Sequence, residues 1–134
     1  MNIKTVVLAA ALTATSMNAS AGCTLEDLNG YWDIYSSSTY AVDTCSIRIT
    51  RGKVTPHRFG CHNGQDGVVT PHSPTISGTL ALDSYCHVTG NIYVTGTRLD
   101  IIKSTLNQAR TTINGIGVIP AYGIQGQFLI TKFY

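Results

Sequence analysis

Ile76-Ser-Gly-Thr-Leu-Ala-Leu-Asp-Ser-Tyr-Cys-His-Val-Thr-Gly-Asn-Ile-Tyr-Val94 decides the fold class. Ile76, Leu80 and Leu82 fall on one parity, and Val88, Ile92 and Val94 repeat the pattern after Asp83-Ser84. An apolar period of two, broken by turn residues, is the signature of paired half-buried strands. The same pattern recurs in Cys45-Ser-Ile-Arg-Ile-Thr50, where Ile47 and Ile49 oppose Ser46 and Arg48.

Turns fall at Arg51-Gly52-Lys53, Thr95-Gly96 and Gly115 to Gly123. About eight strands follow, at 31–36, 44–50, 53–61, 75–82, 86–95, 97–103, 108–114 and 124–133. Residues 101–110 read as a strand or a short helix. The expected fold is all-β: an antiparallel meander of about eight strands closing into a small barrel, which leaves no exposed edge. A two-sheet β-sandwich is the alternative.

Inward candidates are Trp32, Ile34, Ile47, Ile49, Ile76, Leu80, Leu82, Val88, Ile92, Val94, Leu99, Ile101, Ile113, Phe128 and Ile130. In so small a barrel, such side chains are expected to fill the interior.

The first 21 residues set the expected compartment. Lys4, the apolar run Val6–Leu12 and Ala19-Ser20-Ala21 have the layout of a cleaved signal peptide, leaving 22–134 as one exported domain. The destination is periplasmic or extracellular, with no membrane span. Ser20-Ala21-Gly22-Cys23 offers an alternative, a lipoprotein anchored through Cys23. All four cysteines lie beyond residue 21, as a disulfide-stabilised exported protein requires. In a meander, Cys45 and Cys61 share one rim, and Cys23 and Cys86 share the other. The expected bridges are therefore Cys45–Cys61 and Cys23–Cys86.

With 12% charged residues and a net charge of +2, the chain lacks the basic footprint of a nucleic-acid binder. No catalytic constellation is readable, because the carboxylates are scattered and no nucleophile motif occurs. Cys61, expected in a bridge, is not available as a thiolate nucleophile. Val54-Thr-Pro-His57 and Val69-Thr-Pro-His72 bracket a segment that also carries His62 and Asp66. His57, His62, His72 and Asp66 are candidate ligands for Zn²⁺ or Cu²⁺, if the segment folds back on itself. Otherwise each Thr-Pro step marks extended backbone.

The seven Tyr outnumber the three Phe. Tyr31, Tyr35 and Tyr93 alternate away from the expected core, and Tyr40 and Tyr122 sit in expected loops. Tyrosine offers amphipathic contact area, so these residues form a candidate surface for a protein or a glycan. Arg48, Arg51, Lys53 and Arg58 gather on one expected hairpin.

Leu28-Asn-Gly-Tyr-Trp-Asp-Ile-Tyr35 places G-x-W, Gly30 and Trp32, at the start of the first strand. The segment resembles the opening of lipocalin-like barrels, in particular the small bacterial periplasmic inhibitors of metalloproteases. The resemblance implies an eight-stranded barrel whose base Trp32 closes. The expected function is an exported binding or inhibitor module. The alternatives are a self-associating structural surface, matrix or filament subunit, and a metal-binding periplasmic protein.

Overall fold

A computed structural model describes residues 22–37, 42–65 and 67–133. The expected leader, Tyr40 and Asp66 lie outside the described residues. Nine strands are present among those described: β1 (Gly30–Ser37), β2 (Val42–Thr50), β3 (Lys53–Gln65), β4 (Val68–His72), β5 (Ile76–Leu82), β6 (His87–Val94), β7 (Thr97–Leu106), β8 (Thr112–Ile119) and β9 (Ile124–Phe133). Eight of them close into an antiparallel barrel. The order runs β1, β2, β3, β5, β6, β7, β8, β9 and back to β1, with β4 outside it on β3. No helix among the described residues is long and apolar enough to cross a membrane.

The hairpin quoted above pairs Ile76 with Val94 through Leu82 with Val88. Its turn is built by Asp83, whose Oδ1 accepts the backbone N–H groups of His87 at 2.8 Å and Tyr85 at 2.9 Å. These bonds, the one from His87 foremost, hold the Asp83 carboxyl below its ordinary value, against a smaller desolvation cost.

One end of the barrel is packed shut. Trp32, Ile47, Ile49, Leu80, Val88, Ile113 and Ile130 are buried there, together with Leu28. Leu28 ends a short 3-10 helix, Leu25–Leu28, and its carbonyl accepts the Trp32 indole N–H at 2.8 Å. Over the indole face, Lys132 Nζ lies 4.8 Å from the ring centroid and donates to the Asp27 carbonyl at 3.1 Å. Burial pushes the Lys132 ammonium below the usual lysine value, partly opposed by the Asp27 carboxylate.

This packing accounts for G-x-W. Gly30 has φ +138°, and a Cβ there would lie 3.3 Å from the Lys132 stem. A side chain at position 30 would displace the lysine that covers Trp32.

Both expected disulfides are present, Cys23–Cys86 and Cys45–Cys61. They span 63 and 16 residues in sequence, so loop closure assigns them about 4 and 3 kcal/mol. Cys23–Cys86 ties the segment before the 3-10 helix to the β5–β6 turn. Cys45–Cys61 clamps β2 to β3 towards the opposite end.

Two segments depart from the sequence reading, and a third, left open between strand and helix, is decided. The expected strand 108–114 is instead a turn followed by β8, which runs on through the expected Gly115–Gly123 turn to Ile119. Gly115 and Gly117 are strand glycines at close approaches: a Cβ would lie 2.5 Å from Ser104 and 2.8 Å from Leu99. Residues 101–106, read as a strand or a short helix, are strand. A bulge at Ile102 shifts the phase, so the buried positions are Ile101, Ser104 and Leu106. The expected loop 62–74 is a β-hairpin, β3 with β4.

Candidate functional site

The most unusual geometry lies on β3. Cys61 pairs with Cys45 and Pro56 pairs with Ile47, so residues 57–60 stand opposite Ser46 alone. Four residues against one make a long outward bulge. The parity of the strand requires it, because Val54 and Cys61 both point inward although an odd number of steps separates them. Gly60 closes the bulge in the left-handed conformation at φ +64°, where a Cβ would meet the His72 carbonyl oxygen at 2.7 Å.

The bulge carries His57, Arg58 and Phe59 onto the outer wall. His57 reaches past β2 to Tyr31 on β1, with ring centroids 4.9 Å apart. Phe59 meets His57 edge-on at 4.7 Å. Phe133 of β9 completes the cluster, 5.7 Å from His57 and 6.1 Å from both Tyr31 and Phe59. Phe59 keeps 55% of its surface exposed and Tyr31 keeps 38%.

Two guanidinium groups stack on these rings: Arg48 Cζ lies 5.8 Å from the Tyr31 centroid, and Arg58 Cζ lies 5.2 Å from that of Phe59. Tyr31, His57, Arg58, Phe59 and Phe133 line a surface hollow of about 380 Å³.

A second concavity opens at the barrel end opposite Trp32. It holds about 260 Å³ and is lined by Ile34, Asp43, Cys45, His72, Val94 and Leu99 among others. The interior is thus filled at the Trp32 end and open at this one, short of the fully packed barrel expected. Asp43 lies at the opening and accepts the Asn63 side-chain amide.

The described candidates for metal ligation, His57, His62 and His72, sit in different settings. His57 sits in the aromatic cluster, His62 is exposed on β3, and His72 lines the barrel opening. Among the described residues, no three of His, Cys, Asp and Glu gather closely enough to hold a metal ion.

Among the described residues, the predicted tyrosines do not gather in one patch. Tyr31 belongs to the cluster, and Tyr35 is exposed on the same strand. Tyr93 is half-buried on β6, paired with Ser77 and Arg98, and Tyr122 is exposed in the short turn after β8. The companions of Tyr31 are His57, Phe59 and Phe133. Sequence reading missed this grouping because regular alternation through 53–61 would have turned Arg58 inward with Val54. An arginine at an inward position was the available signal of the bulge.

Compared with models of known protein families and with curated proteins, the chain matches none.

Proposed function

We propose that the chain is an exported, disulfide-stabilised binding module. In this reading it engages a protein or a glycan through the outer-wall patch of Tyr31, His57, Phe59 and Phe133. The observation that carries the reading is the 57–60 bulge, which interrupts the β2–β3 ladder and holds large rings against solvent. Inward packing of Val54 and Cys61 accounts for a bulge but not for the large rings it carries into solvent, since exposed aromatic surface costs stability. Clustered aromatics with arginines on top have the composition of binding hot spots.

The two disulfides support an oxidising compartment, periplasmic or extracellular, as does the basic, apolar, small-residue pattern at the N-terminus. Trp32 at the shut end of an eight-stranded barrel supports the lipocalin-like resemblance and, with it, a binding or inhibitor role. The test is co-sedimentation with cell-envelope fractions of the source organism, comparing the native chain with Phe59→Ala and His57→Ala. Retention of the native chain and its loss in both variants is the expected result. Equal retention of all three would defeat the reading.

One observation favours a second reading, a self-associating subunit. Among the described residues β4 pairs only with β3, and its Val68 and Val69 are 63% and 67% exposed. A free apolar edge is a template for another strand, although Pro71 shortens it. Sedimentation velocity of the purified chain decides this: a concentration-independent monomer removes the reading.

A further inference from the structure

We infer that the outer-wall patch binds an acidic glycan, a chain carrying hexuronate sugars. The inference rests on the patch being the binding surface and adds the chemistry of what it takes.

Two features of the patch act together. The first is the aromatic floor. A pyranose ring presents axial C–H bonds to a flat partner, and the electron-rich faces of Tyr31, Phe59 and Phe133 attract their slightly positive hydrogens. The hollow between them, about 380 Å³, lies in the range of small-ligand sites, about 300–1,000 Å³.

The second feature is positive charge held outside any close ion pair. Elsewhere on the chain arginines meet carboxylates: Arg51 with Glu26, Arg98 with Asp100 and Arg110 with Asp27. Among the described residues, Arg48 and Arg58 have no carboxylate within 4.0 Å. Each lies instead over an aromatic ring, whose face engages the plane of the guanidinium and not its N–H edge. A guanidinium edge matches a carboxylate in two parallel hydrogen bonds.

Polar neighbours complete the site. Thr55 pairs with Arg48, and Thr131 pairs with Asp33, two positions along β1 from Tyr31. Asp33, a carboxylate on the same wall, accepts the Ser46 hydroxyl. This rim offers hydroxyl and carboxylate partners to the sugar hydroxyls. A nucleic acid fits less well, because two arginines on a chain of net charge +2 do not form the basic track a phosphate backbone requires.

The test is titration calorimetry on the two-disulfide protein, with three probes: a short oligogalacturonate, a malto-oligosaccharide of equal length and a polyglutamate peptide. Binding of the oligogalacturonate, weakened about tenfold or more by Arg48→Gln and by Arg58→Gln, is the expected result. Phe59→Ala weakens it too, and intact mass confirms both bridges in every variant.

Equal affinity for the neutral sugar overturns the acidic class and leaves the patch as a glycan surface. Equal affinity for polyglutamate transfers the site to acidic proteins and overturns the sugar assignment. If neither sugar binds but Phe59→Ala still abolishes envelope retention, the ligand class fails and the binding surface stands. Oligogalacturonate binding that ignores all three substitutions overturns both.

Discussion

The imidazole of His57 lies 4.9 Å from the ring of Tyr31, although β2 runs between the strands that carry them. Neighbouring strands are about 4.8 Å apart, so residues two strands away meet only if one of them leaves the sheet. The 57–60 bulge makes that departure.

Gly60 is the hinge of this departure. Gly60→Ala forces a Cβ into left-handed backbone and against the His72 carbonyl. A loss of about 2–3 kcal/mol is expected, read as a lower urea midpoint at unchanged slope. By contrast, Phe59→Ala removes an exposed ring and is expected to cost about 1 kcal/mol or less. A large loss for Phe59→Ala would make the cluster a structural device.

The shut end depends on one buried hydrogen bond. Trp32→Phe keeps a ring but leaves the Leu28 carbonyl without its donor and opens a small void. A destabilisation of about 2 kcal/mol is expected by urea denaturation. A neutral outcome would mean that water reaches the Leu28 carbonyl.

The two disulfides act on different ends, and Trp32 separates their effects. Replacing Cys23 and Cys86 by Ser frees the segment leading to Leu28, so Trp32 emission shifts to the red and stability falls by about 4 kcal/mol. Replacing Cys45 and Cys61 costs about 3 kcal/mol and leaves the native emission unchanged. Identical spectra for the two variants would contradict this division.

Acid acts on the β5–β6 turn through Asp83. Its carboxyl titrates lower in the folded chain than in the unfolded one, held by the His87 and Tyr85 N–H groups and the His87 ring. The unfolded state therefore takes up the proton first. The stabilisation is complete above the ordinary carboxylate value of 3.8 and is lost as pH falls through the lower folded value. Asp83→Asn is expected to lower the urea midpoint at neutral pH. Its difference from the native chain shrinks as the pH falls through the lower folded value. A difference that persists unchanged at low pH would assign Asp83 a role independent of its charge.

The sequence by itself determined the all-β class, the alternation that buries Trp32, Ile47, Val88 and Ile130, and both disulfide pairings. Alternation and turn residues are local signals, and an up-and-down meander turns them directly into rims and faces. Only the tertiary structure decided where that period breaks. The bulge at Ile102 shifted the phase of β7, close packing against Ser104 put Gly115 inside a strand, and β4 formed where a loop was expected. The aromatic patch belongs to the same class. Tyr31, His57, Phe59 and Phe133 come from three strands, and their meeting depends on barrel closure and on four residues standing opposite Ser46. No local periodicity encodes a contact that exists only after β9 and β3 have both closed around β1 and β2.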